Sequence, residues 1–280
     1  MKKGESRRLN KIFEDIKQIK IQGATNIAKA ALKAYSLDPT QKTKHKLLSL
    51  RPTEPMLVNV LNRLSDTSFS EAKSSLILNH FSQAQEKINN YVLKLIDNQD
   101  IIYTHCHSTN VIKALTYAKN KGKKLQIYNT ETRPLYQGRL TARELSSAGI
   151  KVTTFVDSAI EIAIAGKQGN KKVDKIFLGA DAILSNGNVI NKVGSGLIAE
   201  IAKANKVPVY IIADSWKFSK NNIKLEQRKT REVWDYNVPK NVKIRNPAFE
   251  LIESKNIKAI ISDLGILSPK EFVRRAKELN

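Results

Sequence analysis

Apolar residues recur every three to four positions along the first third of the chain. Ile12, Ile16 and Ile19 begin this pattern, which continues after Gly23. Residues at this spacing fall on one face of an α-helix. Runs typical of strands are scarce in this part, so the pattern predicts a helical N-terminal domain over residues 1–97.

Short apolar, β-branched runs alternate with helical stretches in the rest of the chain. These strand candidates lie at 101–104, 125–128, 152–155, 175–178, 209–212 and 259–261. Strands that alternate with helices of this length are typical of a parallel sheet covered on both faces. We therefore predict an α/β fold in which the helical domain precedes a doubly wound, Rossmann-like domain over residues 98–280. The polar, weakly periodic stretch 217–241 is predicted to be a long excursion that can cover a site.

Chemically versatile side chains follow three of the predicted strands. Cys106 comes just after the first of them, Asp181 follows 175–178, and Lys217 follows 209–212. In an open parallel sheet, ligands bind outside the carboxyl ends of the strands. We therefore expect these three side chains to meet at one edge of the sheet and to form part of a site.

Cys106 has two interpretations. A lone cysteine is more often a small buried hydrophobic residue than a nucleophile. Here it lies past a strand end, between His105 and His107, and just before a helix start predicted at Ser108. A helix N-terminus or a protonated histidine lowers the pKa of a thiol, which favours a functional cysteine. The histidines lack a partner cluster elsewhere in the sequence, so no metal site is predicted.

Two further stretches indicate anion binding. In 186–196, a turn and a short strand lead into a Gly/Ser helix start, where backbone N–H groups and Lys192 suit an anion. Arg133 follows a strand and precedes a helix. Its guanidinium either clamps a phosphate or forms a structural ion pair with Glu131 or Asp157.

The charge of the chain is strongly positive. Its 280 residues include 48 Lys and Arg against 26 Asp and Glu, a formal net charge of +22. Such a field attracts anionic partners, whether phosphorylated metabolites or nucleic acid, although a solvated lysine-rich surface has the same composition. Few aromatic residues are interleaved with the basic ones, so nucleic acid stays open as a partner without being favoured.

Composition also limits the class of protein. Hydrophobic residues make up 41% of the chain, which is the balance of a globular protein. No apolar run approaches the roughly 18 residues that span a bilayer, and the basic start lacks the apolar core of a secretion signal. A single cysteine excludes an internal disulfide and fits a reducing compartment. We therefore expect a cytoplasmic protein without a membrane partner.

An ordered series of short motifs runs nearly from end to end of the chain. These motifs are Arg51-Pro52-Thr53, Thr104-His105-Cys106-His107-Ser108, Glu131-Thr132-Arg133-Pro134, Gln137-Gly138, Thr141-Ala142, Gly179-Ala180-Asp181, Asn186-Gly187, Val189-Ile190-Asn191-Lys192-Val193-Gly194, Lys217-Phe218 and Asn246-Pro247-Ala248-Phe249. With them the chain resembles the family that joins the alpha, beta and delta subunits of translation initiation factor 2B to two isomerases. Those are methylthioribose-1-phosphate isomerase and the archaeal ribose-1,5-bisphosphate isomerase, and the sequence around Cys106 is most similar to the latter.

The resemblance implies a function and a set of site residues. Cys106 and Asp181 would be the catalytic pair of an aldose–ketose isomerase that converts ribose 1,5-bisphosphate into ribulose 1,5-bisphosphate in AMP breakdown. The implied substrate contacts are Gln22, Gly23, Ala24, Arg51, Ser108, Thr109, Asn110, Asn191, Lys192 and Lys217. The resemblance also implies a homo-oligomer, and neither it nor the sequence points to a cofactor. Whether hydrogen moves as a hydride or through an enolate is left open.

Two positions depart from the family pattern. Gln22 stands where the family usually has arginine, and Thr109 stands where those isomerases often have lysine. Each lost charged hydrogen bond costs roughly 1.5–3 kcal/mol of binding, unless Lys20 or Lys113 compensates. Three alternatives therefore stay open: methylthioribose-1-phosphate isomerase, a non-catalytic regulatory subunit of the initiation-factor type, and an RNA-associated protein.

Overall fold

Helices form the first part of the chain. The computed structural model describes residues 3–279 except for Ile19, Gln22, 52–53 and 66–68. Within these residues, the helices before the first strand are α1 (Lys3–Lys17), α2 (Ala24–Leu37), α3 (Gln41–Leu50), α4 (Pro55–Ser65) and α5 (Glu71–Leu95). Their apolar faces share one core, in which Ala28, Leu57 and Leu61 are fully buried. The predicted helical N-terminal region is confirmed.

Strands and helices alternate in the remainder. In chain order these elements are β1 (Asp100–Thr104), α6 (Thr109–Asn120), β2 (Leu125–Thr130), α7 (Gln137–Ser147), β3 (Lys151–Phe155), α8 (Ile160–Ala165), β4 (Lys175–Leu178), β5 (Ala182–Leu184), β6 (Val189–Lys192), α9 (Ser195–Ala204), β7 (Val209–Ile212), β8 (Phe218–Ser219), β9 (Phe249–Ile252), β10 (Ala259–Ser262), β11 (Gly265–Leu267) and α10 (Pro269–Leu279). Each of the six runs predicted as strands forms one. The predicted α/β fold with a largely parallel sheet is therefore correct.

The large sheet has the order β11-β10-β7-β4-β1-β2-β3, and every neighbouring pair is parallel except β10 with β11. In the register, Tyr103 of β1 lies opposite Tyr128 of β2 and Ile176 of β4. Chain order therefore reverses between β1 and β4. A crevice forms outside the carboxyl ends of the strands at such a reversal.

Both faces of this sheet are covered. On one face Tyr103 packs in a core with Ile198 of α9, while on the other Ile102 and Phe177 pack with Ile88 of α5. Alternate residues of β1 thus point into two different cores, as the period of a strand requires. Because α5 belongs to the helical region, it anchors that region to the sheet.

A second, smaller sheet was not predicted beyond one short strand in 186–196. Its order is β8-β5-β6-β9, and its strands are two to four residues long. Runs this short carry too little periodicity to be identified from sequence. The excursion predicted from Lys217 begins later, because 215–217 form a 3-10 turn and β8 follows it. Between β8 and β9 the chain is mostly irregular and contributes Glu226 and Arg228 to the surroundings of the crevice.

Candidate active site

A cavity of about 760 Å³, its open mouth included, lies at the carboxyl edge of the large sheet. The helical region forms one wall and the loops after β1 and β4 form another. Ten of the twelve predicted site residues line this cavity: Gly23, Ala24, Arg51, Cys106, Ser108, Thr109, Asp181, Asn191, Lys192 and Lys217. Cys106, Asp181 and Lys217, which are far apart in sequence, are therefore brought together as the strand-end rule predicted.

The other two predicted residues are not placed in the cavity. Gln22 lies outside the described residues. Asn110 is buried, and its Nδ2 donates to Gln85 Oε1 at 2.9 Å while its backbone oxygen accepts from Gln85 Nε2. The side chain of this second residue of α6 thus faces α5 rather than the cavity, and the substrate contact of Asn110 stays a prediction.

Cys106 is held by its backbone. Its N–H donates to Thr132 Oγ1 at 3.1 Å, and its carbonyl accepts from Thr141 Oγ1 at 2.7 Å. Its φ of 61° lies in the left-handed region, which is uncommon for a residue other than glycine. Such backbone conformations persist where surrounding contacts enforce them, and they cluster at functional sites. Here the contacts with Thr132 and Thr141 hold the backbone so that Cys106 lines the cavity.

The thiol of Cys106 is not activated as predicted. Burial raises the pKa of Cys106 to about 11, and the charge of Lys192 offsets this only in part. Burial likewise lowers the pKa of His105, so that this ring is neutral. Its Nε2 donates to the Val193 carbonyl and its Nδ1 accepts from Thr130 Oγ1, both at 2.9 Å. His105 thus joins two loops, and Cys106 is a protonated thiol at neutral pH.

Asp181 lies at the end of β4 and is only half-buried, yet protein surrounds its carboxyl group. Burial raises the pKa of Asp181, and the positive charges of Lys217, Lys192 and Arg51 oppose that rise. Two residues before Asp181, a Cβ at Gly179 would lie 2.6 Å from Ser108 Oγ, so this glycine makes room for the loop that carries Cys106.

Lys217 is positioned jointly by the sheet and the helical region. Its Nζ donates to the Ala180 carbonyl at 2.6 Å, directly beside Asp181. The 3-10 turn that carries it is fixed by Asp214 Oδ1, which accepts from the Trp216 N–H at 2.8 Å. The Trp216 ring in turn stacks on His80 of α5 with ring centroids 3.6 Å apart. The ammonium therefore has little freedom to leave the cavity.

The two predicted anion sites have other partners. At the start of α9, the Gly196 N–H donates to Glu250 Oε1 at 2.6 Å, so a carboxylate of the chain already occupies that helix start. The Arg133 side chain contacts Tyr136 and the Val233 carbonyl rather than forming the predicted ion pair with Glu131 or Asp157. It is Arg139 that pairs with Glu131, at 2.6 Å.

Three polar atoms in the cavity wall lack partners. Among the described residues, five buried side-chain nitrogen or oxygen atoms have no hydrogen bond, and three of them belong to Arg51, Glu54 and Ser108. All three residues line this cavity. Because buried polar groups are nearly always paired, their concentration here indicates a surface built to meet a polar ligand.

Comparison with known proteins identifies the family of this chain. Residues 16–269 match the model of the initiation factor 2 subunit family, IF-2B. The chain belongs to this family. The resemblance predicted from its motifs is thereby confirmed.

Members of the family with different names are similar to this chain. Ribose 1,5-bisphosphate isomerase of Methanocaldococcus jannaschii is 35% identical, over 94% of this chain and 92% of that protein. Methylthioribose-1-phosphate isomerase of Thermosipho melanesiensis is 30% identical, over 91% of this chain and 85% of that protein. The crystal structure of translation initiation factor eIF-2B from Pyrococcus horikoshii OT3 superposes with a TM-score of 0.83 at 26% identity, covering 95% of this chain and 98% of that one.

Two charged residues of the cavity lining were missed by the sequence analysis. Glu54 is 2% exposed, and burial, followed by the negative charge of Asp181, raises its pKa to about 7. Arg228 comes from the excursion and pairs with Glu232 at 2.6 Å. Glu54 could have been noticed in the sequence because it is a glutamate close to Arg51 and just before Pro55. No periodicity in the sequence indicates a role for Arg228.

No described helix is long and apolar enough to cross a lipid bilayer. Across the described residues, no three or more His, Cys, Asp or Glu side chains form a group that could hold a metal ion.

Proposed function

We propose that this chain is an aldose–ketose isomerase that converts ribose 1,5-bisphosphate into ribulose 1,5-bisphosphate. The observation that carries the proposal is the pairing of a desolvated thiol, Cys106, with a desolvated carboxyl group, Asp181, in one cavity. Relatives at 33–35% identity over more than nine-tenths of this chain bear the name of that enzyme, which supports the choice of substrate.

The charge of the cavity suits a substrate with two phosphates. Arg51, Lys192, Lys217 and Arg228 line it, against the carboxyl groups of Glu54 and Asp181. Four cations face two carboxyl groups, and burial raises the pKa of both carboxyl groups, so the positive charges dominate. Arg228, which the sequence did not indicate, adds a further guanidinium to the lining, and its pairing with Glu232 fixes its position.

Cys106 and Asp181 can serve as the acid and the base for ring opening and hydrogen transfer. Cys106 keeps its proton at neutral pH and can donate it to the ring oxygen as the bond from C1 to that oxygen breaks. Hydrogen then moves from C2 to C1 with its electron pair, the hydroxyl at C2 becomes a carbonyl, and Asp181 accepts the hydroxyl proton. Return of that proton to the thiolate, through solvent, restores both groups. The product is the open ketose with both phosphates retained.

Incubation of the protein with ribose 1,5-bisphosphate and with methylthioribose 1-phosphate, followed by detection of the ketose product, tests this function. We expect Cys106→Ser and Asp181→Asn each to lower kcat by about 10³-fold or more, with unchanged circular dichroism, since each removes a proton-transfer group. Near-normal turnover by either variant would refute the assigned roles. Turnover of methylthioribose 1-phosphate alone would reassign the substrate, and turnover of neither would favour a non-catalytic regulatory subunit.

A cytoplasmic homo-oligomer is part of the same proposal. Leu197 of α9 and Leu251 of β9 are 55% and 40% exposed on elements that pack together. Neighbouring exposed leucines favour a protein contact. The mass of the protein in solution, measured by light scattering, distinguishes an oligomer from a monomer.

A further inference from the structure

Glu54 is a third carboxyl group of the cavity, with one oxygen bound and one free. It lies directly before α4, and its side chain is almost fully buried. Oε1 accepts from Arg51 Nη2 at 3.1 Å. Oε2 has no hydrogen-bond partner in the part of the chain that the structure describes. A carboxylate oxygen left bare in this way costs stability, so its retention calls for a ligand-based explanation.

Arg51 has a matching free donor. Its Nε is buried and has no partner among the described residues, while its Nη2 binds Glu54 and lies 4.0 Å from Glu226. The residue is 9% exposed and lines the cavity. A free N–H donor and a free carboxylate acceptor therefore belong to two paired residues of the same wall.

This combination selects one kind of ligand group. A phosphate dianion has only acceptors, so an adjacent carboxylate repels it and leaves Oε2 without a donor. A hydroxyl group both donates and accepts, so it can satisfy Glu54 and Arg51 together. The corner formed by these residues is thus suited to the sugar rather than to its phosphates, in contrast to the phosphate contact that a cationic Arg51 first suggests.

We propose that Glu54 determines specificity for the sugar: Oε2 accepts a hydrogen bond from a ribose hydroxyl, while Arg51 Nε–H donates to that hydroxyl oxygen. The inference rests on the proposed function and names the part of the substrate that Glu54 and Arg51 contact. Neither residue transfers a proton in the reaction. A site that hydrogen-bonds a hydroxyl discriminates strongly against analogues that lack it, because its buried polar groups are then unpaired.

Protonation supports this role and gives it a pH signature. The charged groups that face Glu54 are Arg51, Asp181, Lys217 and, through Arg51, Glu226. Because burial raises the pKa of Glu54 to about 7, its carboxylate form, which accepts the hydrogen bond, becomes populated as the pH rises through 7. Sugar binding by the wild-type chain is therefore expected to tighten between pH 6 and pH 8 relative to Glu54→Gln. Substrate phosphates titrate equally in both proteins and cancel in that ratio.

The test measures binding by calorimetry in the Cys106→Ser background, where turnover does not interfere. The ligands are ribose 1,5-bisphosphate and its 2-deoxy and 3-deoxy counterparts. We expect Glu54→Gln, which preserves the shape of the side chain, to weaken binding of the ribose compound by about tenfold or more, the loss of one charged hydrogen bond. For one of the two deoxy compounds this penalty should disappear, since the hydroxyl is already absent.

The matched control is Glu71→Gln, which removes the same charge from the exposed first residue of α5. It should leave binding of all three ligands within about twofold. Arg51→Lys keeps the charge but removes the Nε donor. It should likewise weaken binding of the ribose compound and show no penalty for the same deoxy compound. Each of the two variants therefore tests the inference if the other folds poorly.

If Glu54→Gln weakened binding of all three ligands equally, or of none, the inference would be overturned. Turnover of ribose 1,5-bisphosphate by the wild-type chain would still support the proposed function. A wild-type chain that neither binds nor converts ribose 1,5-bisphosphate would overturn both. Loss of the penalty for one deoxy compound, together with the pH-dependent ratio, establishes the role of Glu54.

Discussion

The starts of α6 and α9 lie at the same edge of the large sheet, and both carry small residues suited to anion binding. At α9 the chain supplies its own anion, because Glu250 accepts from the Gly196 N–H and Ser195 Oγ accepts from Asn191 Nδ2 at 2.9 Å. At α6 the Ser108 hydroxyl is buried and has no hydrogen bond within the described ranges. A helix start is therefore free for a ligand only where tertiary packing brings no internal acceptor to it.

The largest expected effect comes from a glycine beside each helix start. Gly179→Ala would place a Cβ 2.6 Å from Ser108 Oγ and displace the loop that carries Cys106. We expect kcat/KM to fall about 100-fold, the typical cost of misplacing reacting groups by about 1 Å. Gly196→Ala, whose Cβ would lie 2.9 Å from the Leu251 carbonyl, should mainly reduce the free energy of unfolding, by about 1–3 kcal/mol. Steady-state kinetics and denaturant titration separate the two outcomes, and equal activity losses would contradict the comparison.

The serines at the two starts should differ in a subtler way. Ser195→Ala leaves Asn191 Nδ2 without its acceptor and should lower the free energy of unfolding by about 1 kcal/mol. Ser108→Ala removes an unpaired hydroxyl, so stability should change by less than about 0.5 kcal/mol while KM for the bisphosphate rises about fivefold. Urea titration and initial rates measure both quantities. A destabilised Ser108→Ala variant with unchanged KM would assign this hydroxyl to the fold instead of the ligand.

The smallest expected effect is at Glu250. Glu250→Gln removes the negative charge at the start of α9 and should cost about 0.3–1 kcal/mol of stability, less at high salt. KM should stay within about twofold, because the α9 start is not expected to bind substrate phosphate. Thermal unfolding at low and high ionic strength, with parallel kinetics, measures this. A markedly lower KM would mean that the substrate competes with Glu250 for that helix start.

Much of the architecture followed from periodicity alone. The six strand candidates alternate with helical stretches, and this determined a parallel sheet with helices on both faces. Parallel strands place their carboxyl ends at one edge, so Cys106, Asp181 and Lys217 could be expected to converge before any contact was known. The helix start predicted at Ser108 was also correct, because a serine commonly precedes the first residue of a helix.

The small sheet depended on distant pairing. Val189 of β6 lies opposite Ile252 of β9, and Ile183 of β5 lies opposite Phe218 of β8. Each strand is too short to show a period by itself. β5 and β6 pair locally, but their outer partners, β8 and β9, lie more than thirty residues away along the chain. Only the folded chain could bring these strands together.

The charge states of the site show most clearly which properties the sequence determines and which only the tertiary structure decides. The sequence predicted that Cys106 and Asp181 meet at one edge of the sheet, because the positions of residues along strands depend on local pattern. The family resemblance added the prediction that they form a catalytic pair. Their pKa values depend on desolvation and on charges from other elements, and these arise only on folding. The neighbours of Cys106 in sequence favoured a lowered thiol pKa, whereas burial raises the pKa of Cys106 to about 11. Glu54 became part of the site for the same reason, since packing places it near Asp181, a residue 127 positions later in the chain.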